Sequence, residues 1–169
     1  SYISTVNASE ASRSEKDKII AELCKECNKK GIESLIEYGF DIHSLLDDDN
    51  TMLHIASYYG CRKIVAMLIR SGARVNATNI KGQTPLHLAA YSKWPKTSLL
   101  LIDNGADPNL RTNKGRTAAD LAEKQGALAL AERLRAEERN HGYVSNMRSN
   151  DYDKSYNEPY KKTYDNSYN

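Results

Sequence analysis

Residues 84–116 read TPLHLAAYSKWPKTSLLLIDNGADPNLRTNKGR, and residues 51–83 before them read TMLHIASYYGCRKIVAMLIRSGARVNATNIKGQ. A shorter, altered copy, TAADLAEKQGALALAERLRA, follows from Thr117, so Thr51, Thr84 and Thr117 stand 33 residues apart. A fixed period of this size signals stacked repeats, where each unit lacks a closed core and buries its apolar face on its neighbours.

The repeating residues have physical jobs. Thr84 suits a helix N-cap, and Pro85 suits the first helical position, where no amide hydrogen is needed. Leu86, Leu88, Ala89 and Ala90 supply a narrow apolar face on which the alanines permit close helix approach. A second helix is read in IVAMLI from Ile64 to Ile69 and in SLLLI from Ser98 to Ile102. Gly72 and Gly105 fall just past it, where a left-handed backbone costs little only for glycine. Residues 76–83 and 109–116 then form a polar, glycine-containing projecting turn.

Thr84 to Ala90 (TPLHLAA), Asn104 to Asn109 (NGADPN) and Ser71 to Asn76 (SGARVN) together make the chain resemble the ankyrin repeat. A degenerate first copy aligns Leu35, Ile36, Gly39 and Asp41 with Leu68, Ile69, Gly72 and Arg74, but has Lys18 where threonine is expected. The last copy has Ala119 and Asp120 in place of leucine and histidine. Both read as caps, since one face of a terminal repeat meets water. The resemblance implies an all-α solenoid of helix-turn-helix units joined by projecting β-turn loops. Its four units fall at about 15–50, 51–83, 84–116 and 117–142.

The flanks read differently. Residues 1–14 are serine-rich and expected to be flexible, with a capping box at Ser12–Glu15 that starts the first helix. The final helix is expected from Leu128 to Arg139, with Gly142 ending it and with Arg133/Glu137 and Glu132/Arg135 spacings on a solvated face. Residues 143–169 are rich in Tyr and Asn, and Tyr152, Tyr156, Tyr160, Tyr164 and Tyr168 are evenly spaced by four. Pro159 and the many polar residues oppose a helix there, so disorder in isolation is expected. The tail reads either as a bland polar segment or as a tyrosine array for docking or phosphorylation.

A net charge of +2 gives no reason to propose nucleic acid or an anionic membrane as partner. No apolar run approaches a membrane span, and SYISTVNASEASRS lacks the basic and apolar regions of a signal peptide. Three cysteines make no even framework, and Cys24–Cys27 is a CxxC without a second pair, so all are expected to be core or half-buried thiols. A cytoplasmic or nuclear protein is expected. His54 and His87 are read as bracing their turns. No metal ligand set, phosphate-cradling loop or nucleophile motif is found, so neither cofactor, metal, small-molecule substrate nor catalysis is expected. Asn76 and Asn109 resemble ankyrin asparagines that hydroxylases modify, although a structural role is the simpler reading; His43 takes that place in the first repeat.

The resemblance further implies a concave face built from turn tips and first helices. The tips map to Leu45, Asp47, Asp48 and Asn50, then Thr78, Ile80, Lys81 and Gln83, then Arg111, Asn113, Lys114 and Arg116. The helix positions are Tyr58, Tyr59, Tyr91, Ser92, Glu123 and Lys124. The groove thus runs from an acidic end (Asp47, Asp48, Asp49) to a basic end (Arg111, Lys114, Arg116), with tyrosines, preferred interface anchors, in the middle. Trp94 either fills a gap between helices or adds an outer anchor. The expected function is a non-enzymatic adaptor or inhibitor binding another protein. The alternatives are a structural subunit of a large assembly, with termini ordered by neighbouring chains, and a microbial effector with a tyrosine-phosphorylated tail.

Overall fold

A computed structural model describes the backbone of residues 13–150 and the side chains of residues 14–142. The described helices come in pairs: α1 (Arg13–Lys25) with α2 (Lys29–Glu37), α3 (Met52–Tyr58) with α4 (Arg62–Arg70), α5 (Pro85–Tyr91) with α6 (Pro95–Asp103), and α7 (Ala118–Lys124) with α8 (Leu128–Asn150). First helices stack in the order α1, α3, α5, α7, and α2, α4 and α6 stack behind them. No strand occurs among the described residues. This is the all-α solenoid that the period implied.

Each interior unit starts the same way. Thr51, Thr84 and Thr117 are extended N-caps whose hydroxyls accept the backbone N–H of His54, His87 and Asp120. The core then runs continuously through the stack, from Ile20 and Ile32 through Leu53, Ile64 and Leu68 to Leu86, Leu101 and Leu134, all buried. Alanines 56, 89, 90, 119 and 122 are buried on the first helices, where their small side chains let neighbouring helices approach. Gly72 and Gly105 adopt φ values of 96° and 99° just past α4 and α6, the left-handed conformation expected there.

The first helix begins at Arg13, where the Ser12–Glu15 signature placed it, so Lys18 lies within it. Three expectations need correction. The last helix does not stop at Gly142 but runs to Asn150. Gly142 is absent from the left-handed glycines, and a glycine inside a helix costs only about 1 kcal/mol relative to alanine. Residues 143–150 are therefore helical, whereas the tyrosines at 152, 156, 160, 164 and 168 lie outside the described residues.

The second correction concerns the cysteines. Exposed Cys27 and buried Cys61 form a disulfide with a Cα–Cα distance of 5.4 Å, while Cys24 is a free, buried thiol that burial pushes up to about 12. The pair is separated by 34 residues, close to one period, which brings the inter-helix turns of adjacent repeats side by side. An oxidised pair removes the cysteine count as a ground for assigning a reducing compartment. The third concerns Arg135, which leaves Glu132 and instead pairs with Asp120 and Glu123 on α7, although Arg133 and Glu137 do pair at 2.9 Å.

Candidate functional site

The turn tips are built by one recurring bond. Leu46, Asn79 and Thr112 each donate their backbone N–H to the carbonyl of Asn50, Gln83 and Arg116, at 2.8, 3.0 and 2.9 Å. Neighbouring tips are then joined, since Ile80 N–H donates to Asp48 O at 2.9 Å and Asn113 N–H donates to Lys81 O at 3.0 Å. The three tips therefore form one hydrogen-bonded edge along the mouth of the groove.

Buried histidines fix that edge to the helices. His54 Nδ1 accepts Thr51 N–H at 3.0 Å, and its Nε2 lies 2.9 Å from the carbonyl of Gln83. His87 repeats this with Thr84 N–H at 2.9 Å and Arg116 O at 3.0 Å. A ring nitrogen that accepts an N–H leaves the other to donate to a carbonyl, so each ring is a neutral Nε2–H tautomer. Burial lowers both histidine pKa values, in agreement with that state.

Between the tips and the first helices lies an open recess of about 440 Å³ whose walls include Asp17, Asp47, Asp48, Tyr58, Tyr59 and Lys81. Asp17 Oδ2 accepts Asp47 N–H at 3.1 Å, whereas its Oδ1 is buried without a hydrogen-bond partner. Burial first, then the carboxyl of Asp47 and the charge of Asp48, raise the Asp17 pKa to about 6. Tyr58 and Tyr59 meet edge to face, with ring centroids 5.1 Å apart and planes at 89°. Tyr58 is 41% exposed and so keeps surface to offer.

Asp47, Asp48, Asn50, Tyr58, Tyr59, Lys81 and Gln83 thus meet in one recess, whereas the remaining expected groove residues do not line it. Ile80 and Tyr91 are exposed but do not line it. At the third tip Arg111, Lys114 and Arg116 are exposed, and Arg111 Nη1 donates to Gly115 O at 2.9 Å. Glu123 is engaged by Arg135 on α8, so it turns towards its own helix pair.

Trp94 fills a gap between the inter-helix turns of neighbouring repeats. Its Nε1 donates to Tyr58 O at 2.8 Å and its ring covers Gly60, leaving no room for a Cβ there, while 43% of the residue is exposed. Asn76 is held on both sides, by Gly105 O and Asp107 N–H, which is the structural role.

Asp17 was missing from the expected groove. The signal was present in the period: Asp17 precedes Asn50, Gln83 and Arg116 by one, two and three steps of 33, although it lies within α1 and not in a turn tip.

Among the described residues no group of three or more His, Cys, Asp or Glu is arranged to hold a metal ion, and no helix is long and apolar enough to cross a membrane. Two stretches, 35–89 and 68–122, match a family model described as ankyrin repeats (many copies), and together they cover just over half of the chain. Over 45 residues the chain is 53% identical to Protein fem-1 homolog A of the zebrafish Danio rerio, a stretch that is 27% of this chain and 7% of that protein. The chain therefore matches only a small part of that relative's length.

Proposed function

Because the chain belongs to the ankyrin-repeat family, whose members are protein-interaction modules and typically not enzymes, we propose an adaptor or inhibitor that grips another protein in its concave groove. The observation that carries this reading is the recess at the groove's acidic end. It is flanked by a hydrogen-bonded row of tips on one side and by an edge-to-face tyrosine pair on the other. Such a surface is rigid before a partner arrives, so little conformational freedom is lost on binding. Tyr58 offers amphipathic contact area in the recess, and Tyr91 extends it to the next repeat. Action in the cytoplasm or nucleus belongs to this proposal.

The test is affinity for a partner recovered with the intact chain. Replacing Tyr58 and Tyr91 with Ala is expected to weaken binding by about 2 kcal/mol or more in total, with helicity retained. The backbone carbonyl that Trp94 uses at Tyr58 is untouched by this change. Reversing Arg111 and Arg116 is expected to act mainly on association rate and its salt dependence. Normal binding by the groove variants, together with loss of binding on deleting residues 151–169, assigns recognition to the tyrosine tail instead.

A further inference from the structure

Building on the groove reading, we infer that the recess takes a lysine or arginine side chain from an extended segment of a protein partner. Three features of the recess converge on such a cation. The first is an unmet acceptor. Asp17 Oδ1 has no hydrogen-bond partner, although Oδ2 of the same carboxylate is committed to Asp47 N–H. A buried acceptor left unmade is costly; this oxygen becomes reachable when the carboxyl turns towards the recess, and a charged N–H donor is then the strongest remedy for it.

The second feature is like charge. Asp47 and Asp48 stand beside Asp17 and act on it with their own charge. Lys18 and Lys81 also line the recess, but both are exposed, and neither forms an ion pair with the three carboxylates among the described residues. A third positive group placed deeper than these lysines balances the count.

The third feature is the wall. Tyr58 and Tyr59 present an aromatic pair, and Ile55 and Leu88 give the recess apolar floor against which an aliphatic stem packs. A cation beside a tyrosine ring gains further from the ring quadrupole. The carboxylates do not converge as a chelate, since no metal-holding group of acidic residues exists among the described residues. A volume of about 440 Å³ also exceeds the needs of a bare ion and suits a long side chain. The recess is therefore shaped for a stem with a charged head.

The probe is a library of random dodecapeptides displayed on phage and selected on the intact chain. Selected peptides are expected to share an Arg or Lys at one position, and a synthetic consensus peptide is expected to lose at least tenfold in affinity when that Arg becomes citrulline, its neutral isostere. The same loss is expected for the unchanged peptide against a chain carrying Asp17→Asn and Asp48→Asn. Asn keeps an acceptor for Asp47 N–H and tolerates the left-handed backbone at residue 48, where φ is 58°. Melting curves check that the variant folds, and the citrulline arm stands even if it does not.

Selected peptides without a shared basic position, or a basic consensus indifferent to both the citrulline and the Asp changes, would overturn the inference, as would a failure to select any peptide. If Tyr58→Ala weakens the selected peptides while the Asp changes do not, the groove reading stands and this one falls. If neither matters, both fall.

Discussion

The same turn is closed in two ways along this stack. In the second and third repeats the residue three after the capping threonine is a neutral histidine, and its Nε2 reaches into the next repeat to hold a tip carbonyl. In the fourth repeat that residue is Asp120, whose Oδ2 accepts Thr117 N–H at 2.9 Å as the histidines do. Asp120 then faces Arg135 of α8, at 3.3 Å, rather than a following tip. The cap is thus conserved in geometry while its reach is adapted to what lies next. Where another repeat follows, the link is a buried neutral hydrogen bond; where the stack ends, it is a half-exposed ion pair.

The strongest way to break this comparison is His87→Ala. It leaves a cavity and strands both Thr84 N–H and the Arg116 carbonyl, so a loss of roughly 3 kcal/mol or more is expected in chemical denaturation. His87→Asn is expected to lose about half as much, because its side-chain oxygen can still serve Thr84 while the reach to Arg116 is gone. Equal losses for the two variants would mean that the link between repeats contributes nothing.

Acid provides the next, milder contrast. His54 and His87 have folded pKa values below the usual 6.5, chiefly through burial, so the unfolded chain takes up protons more readily. Their contribution is full above about pH 6.5 and is lost as the pH falls below it. Asp120 behaves differently: burial opposes ionisation, but Thr117 N–H and Arg135 outweigh it and hold its carboxyl below 3.8. Its contribution persists until the pH falls below that range. Hydrogen exchange is therefore expected to show the interior turns loosening at milder acid than the Thr117 turn.

Asp120→Ala is expected to cost about 1 kcal/mol, the usual worth of a lost cap. Arg135→Ala comes last, at under about 1 kcal/mol, because the ion pairs it makes with Asp120 and Glu123 are largely open to water. A melting series of the two variants checks the order.

Much of this was legible before any coordinates. The threonine caps, the glycines at 72 and 105 and the bracing histidines are local chemistry repeated at a fixed period, so each copy corroborates the others. What escaped depended on neighbours in space. Arg135 had an acceptable partner within its own helix, and only the packing of α8 on α7 favours Asp120 and Glu123. Trp94 has no counterpart in the other repeats, so nothing in the period said that its ring would lie over Gly60. Asp47, Asp48, Asn50, Tyr58, Tyr59, Lys81 and Gln83 come together in one recess as expected groove residues, but Asp17 entered it from a repeat whose familiar signature had worn away.

The cross-link between Cys27 and Cys61 gives the stack a direction. It ties a loop of 34 residues that contains α2, the first tip and the whole of the second repeat's first helix. Closing a loop of that length removes roughly 3–4 kcal/mol of chain entropy from the unfolded state. In a linear array whose units contact only their neighbours, unravelling ordinarily starts at whichever end is weaker. Here the oxidised chain has one tethered end and one held only by packing and surface charge. Pulling, heating or proteolysis would then peel it from the α8 side, and the tip and tyrosine walls of the acidic recess, which lie inside the loop, would be the last part of the groove to come apart.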